Sequence, residues 1–203
     1  MSNDFTLREV SVERVYSVIV SLKTSKALDY FGMNTVMLKN VADLVIEPLT
    51  YIINLCFKLG EFPGCLKVSA VTPIPKKGKS TKYDEFRPIS KLPVFVKVLE
   101  RVVLEDLVAY IEGKELLHSR QHGFRKGKNT CSAACSVIME ALDSLEGKML
   151  TGLQLFDLSK AFDLVPFNLL KEKLAHYGLS PVSLSFFDSY LMGWKQVVFF
   201  NGE

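Results

Sequence analysis

Apolar positions recur three and four residues apart through most of this chain, so helices set its character. Thr6-Leu-Arg-Glu9 reads as a capping box, and Val12, Val15, Val18, Ile19 and Leu22 follow on one face, predicting a helix over 7–22. Leu49, Ile52, Ile53, Cys56 and Phe57 predict a second helix over 46–59, with Gly60 as its left-handed stop. Ser90 is placed to cap a long helix over 91–112, whose Val96, Leu99, Val103, Leu107, Tyr110 and Ile111 share a face. Thr130 opens another, with Ala134, Val137, Ile138, Ala141 and Leu145 inward. Two more close the series. Phe167–Tyr177 turns Leu169, Leu170, Leu174 and Tyr177 inward, and a helix after the N-cap pair Ser180-Pro181 carries Leu184, Phe187 and Leu191.

Strand patterns are fewer. Val68–Pro75 is rich in β-branched residues, and Tyr83–Ser90 returns after the basic turn Lys76-Lys77-Gly78-Lys79, so the pair predicts a hairpin. Lys195–Phe200 reads as a strand before the hairpin turn Asn201-Gly202, with its edge expected to stay unpaired. The most apolar run, Leu153, Leu155 and Phe156, reads as a strand buried on both faces that stops at Asp157. A carboxylate at the end of a buried strand needs a cation or hydrogen bonds to meet it. Asp157 can alternatively cap the short turn Ser159–Asp163.

Composition adds bounds. The 203 residues are 48% hydrophobic and 23% charged, which suits a globular chain with core enough for one or two units. A net charge of +3 proves no polyanion partner. Its distribution says more: Lys67, Lys76, Lys77, Lys79, Lys82, Arg87, Lys91, Lys97 and Arg101 crowd the middle, and Arg120, Arg125, Lys126 and Lys128 follow. No apolar stretch reaches spanning length and no signal peptide is evident, so the expectation is an intracellular, non-membrane protein. Four cysteines without paired spacing agree with reduced thiols. His118, His122, Cys131 and Cys135 offer zinc-type donors, but the two cysteines are spaced for successive turns of a capped helix and read as small core residues.

The wording of three blocks then bears on function. Phe156-Asp-Leu-Ser-Lys-Ala-Phe-Asp163 resembles the first catalytic motif of reverse transcriptases, most closely those of non-LTR, LINE-like retrotransposons. Ile74-Pro-Lys-Lys-Gly with Phe86-Arg-Pro-Ile-Ser90, and Gln121-His-Gly-Phe-Arg-Lys-Gly-Lys-Asn-Thr130, resemble blocks of the same family and stand in the family's order. The likeness covers about Ser11 to Glu203. It departs at Leu28–Gly32, which stands where the family has glycine and proline.

The resemblance implies an α+β fold: right-hand polymerase fingers plus a partial palm, helix-rich, with a basic fingertip hairpin and an incomplete antiparallel palm sheet. It implies an N-terminal helical segment over 1–66, fingers over 67–148 and partial palm over 149–203. Asp157 is then the catalytic carboxylate and a Mg²⁺ ligand, with the Leu158 carbonyl beside it. Phe162 lies beneath the incoming sugar as the gate against a 2′-hydroxyl. Arg87 and Lys76 or Lys77 touch nucleotide or template phosphates, and Arg125, Lys126 and Lys128 lie along the nucleic acid. Two hard cations about 3.5–4 Å apart would stabilise the attacking and leaving oxygens of the displacement. The implied partners are an RNA template, a DNA primer and deoxynucleotide triphosphates. Neither G-x-P-Q-G nor [YF]-x-D-D occurs in the sequence, so the expectation is a truncated domain, inactive by itself. The alternative is a non-catalytic nucleic-acid-binding remnant. A haloacid-type phosphatase is disfavoured, since Ser159 and Ala161 stand where it expects Asp and Thr or Val.

Overall fold

The computed structural model describes residues 5–76, 78, 82 and 85–199. Its elements are α1 (Val12–Ser21), α2 (Thr35–Asn40), α3 (Ala42–Leu59), β1 (Val68–Pro75), β2 (Phe86–Lys91), α4 (Val94–Gly113), α5 (Thr130–Glu146), α6 (Phe167–His176), α7 (Pro181–Leu191) and β3 (Lys195–Val198). The chain is thus helix-rich with a small three-stranded mixed sheet. Residues up to Ala109 and from Pro166 onward form one unit, and Tyr110–Val165 form another.

In the first unit, Ser11 rather than Thr6 starts α1, and its side chain accepts from the Arg14 N–H. Ahead of Ser11 the backbone is held by tertiary partners rather than coiled into a first helical turn. Leu7 N–H donates to Ser183 Oγ (2.9 Å), Phe5 bridges to Leu179, and the Asn54 amide pairs both ways with Val10 (2.8 and 3.0 Å). Val15, Val18 and Ile19 are buried, and α1 packs on α3. Helix α3 extends one turn earlier than its pattern predicts and ends as expected at Gly60, at φ +66°.

Helix α7 has the expected Ser180 cap and Pro181 in its first turn. Its buried residues are Ser183 and Phe186, so the inward face sits one position away from the Leu184–Phe187–Leu191 stripe. Two recruitments rotate it: Ser183 is drawn in by Leu7, and Phe186 meets Phe57 and Phe62 edge-on. Tyr190 donates to Glu100 (2.5 Å), and burial pushes both groups above their ordinary pKa values.

Helix α4 does not begin at Ser90, which belongs to β2. Its first N–H, at Val94, is taken by Asp29 Oδ2 (2.8 Å), a carboxylate far upstream in sequence. Asp29 Oδ1 also accepts from Phe31 N–H and Met33 N–H (both 2.9 Å), which closes the Leu28–Gly32 loop. That loop departs in residue types from the resembled family, yet it holds a defined turn around one aspartate.

Strand β1 is central. Strand β2 pairs with it antiparallel, from Ala70↔Lys91 to Pro75↔Phe86, as the hairpin reading expects; Tyr83 and Asp84 lie outside the described residues. Strand β3 corrects the expectation of an antiparallel sheet at this place, while it remains an edge strand among the described residues, as expected. It joins the other side of β1 in parallel, from Val68↔Lys195 to Val71↔Val198. Asn201-Gly202 lies outside the described residues.

The second unit has no buried residue among those described. Asn129, not Thr130, caps α5, through a reciprocal pair with Ser132. The face expected inward is open: Val137, Ile138 and Leu145 are all exposed. Cys131 and Cys135 occupy successive turns of α5 as expected, but on its exposed surface rather than in a core. The run Leu153–Phe156 is not a buried strand. Its backbone pairs with none of the three strands, and Leu155 and Phe156 are exposed. A strand forms only where a neighbour takes its N–H and C=O groups, and the sheet of the first unit uses both sides of β1 without it.

Candidate nucleic-acid interface

The site residues expected from sequence divide between the two units. Lys76, Lys77 and Arg87 belong to the first; Asp157, Leu158, Phe162, Arg125, Lys126 and Lys128 belong to the second. Lys77 lies outside the described residues. Lys76 follows the last residue of β1, where its N–H donates to Glu85 O (2.8 Å), and its side chain is exposed. Arg87 sits opposite Ile74 on β2, and Arg87, Pro88, Ile89 and Ser90 are all exposed. Arg87 is thus displayed from the paired ladder, with Lys76 just beyond its end. Not every lysine of the basic stretch is available to a ligand. Lys67 Nζ donates to Ser189 O and lies over the Phe62 ring, and Arg101 pairs with Glu105 (2.9 Å).

In the second unit, the loop after α4 is pinned at several points. His122 Nδ1 and Ser132 Oγ are 2.7 Å apart, and Lys128 Nζ donates to Ser119 O. The Arg125 guanidinium, expected to meet nucleic acid, is instead clamped in a fork by Glu112. Its Nε lies 2.9 Å from Oε1 and its Nη2 2.5 Å from Oε2, and Nη1 donates to His118 O. Only 14% of the Arg125 side chain is exposed. Hydrogen bonding from Arg125 holds the Glu112 carboxyl below its ordinary pKa. Because the folded value is lowered, the clamp is intact above the ordinary carboxylate range and opens only as pH falls through the lowered value. Replacing Glu112 by Gln removes that charge at neutral pH and is expected to free Arg125 for phosphate. The slope of log affinity against log salt for single-stranded RNA should then steepen by about 0.7. An unaltered slope would leave Arg125 a loop anchor only.

Between Gly123 and Arg125, Phe124 adopts φ +58°, a conformation that costs a non-glycine residue about 1–2 kcal/mol. Its ring is 95% exposed and stands edge-to-face with Phe162, centroids 6.0 Å apart. Sequence reasoning did not select Phe124. An aromatic side chain between a glycine and an arginine in a polar loop was the available signal. Glu112 was missed too, although a carboxylate in the last turn of a helix is unfavourable against the helix dipole and so implies a cationic partner.

Asp157 is exposed outside any helix or strand, Leu158 beside it is exposed, and no hydrogen bond or ion pair engages the Asp157 carboxylate among the described residues. The turn that follows is closed by Asp163 N–H and Leu164 N–H to Lys160 O, without an Asp157 cap. No group of three His, Cys, Asp or Glu side chains that could hold a metal occurs among the described residues. One carboxylate and one carbonyl do not complete a two-cation site, which needs several oxygen ligands.

The family model for reverse transcriptase, the RNA-dependent DNA polymerase, matches residues 74–203. The chain belongs to the reverse transcriptase family. The likeness to non-LTR retrotransposon enzymes read from the three blocks is borne out by mobile-element relatives. The RNA-directed DNA polymerase from mobile element jockey of Drosophila funebris is 30% identical over 95% of this chain and 21% of its own length. Its Drosophila melanogaster counterpart is 29% identical over 78% of this chain and 18% of its own. The probable RNA-directed DNA polymerase from transposon X-element of Drosophila melanogaster is 30% identical over 74% of this chain and 17% of its own. The chain therefore spans about a fifth of the length of the curated relatives it matches. Reverse transcriptases generally use divalent metal ions and act on an RNA template and a DNA primer with nucleotides. No helix among the described residues is long and apolar enough to cross a membrane.

Proposed function

We propose that this chain is the fingers and first palm segment of a retroelement reverse transcriptase, and that by itself it grips nucleic acid without polymerising. The observation that carries the reading is the exposed cationic face of the β1–β2 hairpin, Lys76 and Arg87, on a chain of this family. Phosphate contacts from such a ladder fix a duplex in register without reading its sequence. Residues 1–66 are then the helical approach to the fingers, 67–148 the fingers and 149–203 the partial palm. Lys126 adds an exposed cationic loop contact, while Arg125, held by Glu112, and Lys128, tied to Ser119, would reach nucleic acid only on releasing those partners. Asp157 and the Leu158 carbonyl are the donors this chain offers to Mg²⁺, which would neutralise charge on the reacting phosphate, and Phe162 is the ring beneath the sugar.

The test is equilibrium binding of residues 1–203 to an RNA-template–DNA-primer duplex across a salt series, with primer extension and Mg²⁺ in the same samples. Affinity should fall steeply with salt, and Lys76→Ala with Arg87→Ala should flatten the log–log slope by about 0.9 for each phosphate no longer neutralised. No nucleotide should be incorporated. An unchanged slope would return the hairpin to a solvated face. Incorporation that vanishes in Asp157→Ala would mean that the chain completes a metal site, overturning the binding-only reading.

A further inference from the structure

We propose that Phe124 is a stacking platform for a base of single-stranded nucleic acid, steadied by its edge-to-face contact with Phe162, which keeps its place beneath the sugar. The inference rests on the reading above that this chain binds nucleic acid, and it adds a residue to which the family's motifs assign nothing here. Its basis is the display of the two rings. They come from loops well apart in the chain, yet meet edge-to-face at 6.0 Å and 83°. In that arrangement the edge of one ring is spent on its partner, while a face remains open to a third ring system. Both stay in solvent, at 95% and 79% exposure.

The backbone is set to hold them there. Phe124 at φ +58° and Lys160 at φ +52° are both non-glycine residues in the left-handed region, one in each loop that carries a ring. Glu115 and Lys148 share that conformation away from the rings, so the dihedral fixes how Phe124 is displayed and does not by itself mark a ligand site. The surroundings are visible for Phe124. The next residue, Arg125, is forked onto Glu112, and Lys128 is tied to Ser119, so the loop cannot relax by letting the ring fold inward.

The flanking charge selects the occupant. Lys126 and Lys160 are exposed and lie within two residues of the rings in sequence; the exposed Asp163 beside Phe162 offsets Lys160, so the cationic border is that of Phe124. An aromatic face bordered by cations matches a base on a phosphate backbone, and stacking of this kind tolerates any base. An aliphatic protein surface would gain nothing from the lysines.

The experiment measures residues 1–203 binding a short single-stranded RNA that carries 2-aminopurine, beside a strand of equal length and charge with abasic sites. The wild-type chain should quench the 2-aminopurine and prefer the base-bearing strand. Phe124→Leu keeps an apolar side chain but removes the π face, and should weaken the base-bearing strand about tenfold or more while leaving abasic binding unchanged. Phe124→Trp should restore both the quench and the preference. Circular dichroism confirms that the variants fold, which the exposure of this side chain favours. Wild-type binding that ignores the bases, or a Phe124→Leu chain that still prefers them, overturns the platform and leaves the cationic grip intact. A tryptophan variant that fails to restore the preference overturns it too, since a structural effect would then explain the loss. If the wild-type chain binds neither strand at low salt, the nucleic-acid reading itself falls, and the platform with it.

Discussion

Asp29→Ala is expected to destabilise the chain by about 2–4 kcal/mol, the midpoint of urea unfolding by circular dichroism being the readout. The carboxylate is 8% exposed and accepts three backbone N–H groups, from Phe31, Met33 and Val94. Hydrogen bonds to a charged acceptor contribute about 1.5–3 kcal/mol each, but the three share one side chain and do not add. The Val94 bond is the costly one to lose. It sits at the N-terminus of α4, where the helix dipole favours negative charge, and burial of Val94 denies a replacement water. Asp29→Asn retains an acceptor oxygen and should lose about half as much. Equal loss in both variants would mean that the charge, not the acceptor geometry, secures the helix start. A loss below about 0.5 kcal/mol in the alanine variant would mean that water substitutes freely.

Gly60→Ala should cost a comparable amount, about 2–4 kcal/mol, for two independent reasons. The residue closes α3 at φ +66°, where a side chain costs about 1–2 kcal/mol. A Cβ there would also stand 2.7 Å from Val182 O and 3.1 Å from both Ser185 Cβ and Val182 Cγ2. The obstruction is backbone of α7, so the helices must separate rather than a side chain swing aside. Separation would loosen Phe186 from Phe57 and Phe62. Gly32→Ala is the control: it has a similar φ of +73° and nothing within 4 Å of the added carbon. The difference between the two denaturation midpoints isolates the steric clash from the dihedral cost. Equal losses would mean that α7 yields at no cost.

What the sequence disclosed depended on where each element finds its partners. Helix α3 with its glycine stop, the cap of α7 and strand β1 are legible because their signals are local. The start of α1 is misplaced from sequence because Asn54 and Ser183, far along the chain, take the Val10 and Leu7 N–H groups and hold the segment out of the helix. The cap of α4 falls to Ser90 on local reasoning, when Asp29 performs it from a distance that no local pattern reveals. The run Leu153–Phe156 has the composition of a buried strand but no neighbour to pair with, so hydrophobicity alone misleads there. At the candidate site, the family blocks suggest Arg125 and Phe162 as candidates from their wording. Their immediate partners, Glu112 and Phe124, lie outside the wording or are passed over within it.

The parallel pairing of β3 with β1 carries a consequence for how the protein is made. During synthesis β1 can zip to β2 almost at once, but its opposite edge must wait until the ribosome has delivered Lys195–Val198. Through that interval a line of unsatisfied N–H and C=O groups, beside the buried Ala70 and Val71, stands open to any other extended chain. Long-range parallel pairing is also slow, because the intervening loop must be closed before any bond rewards it. The nascent chain is therefore most prone to aggregate after the hairpin has emerged and before β3 has, a window set by translation rate rather than by final stability.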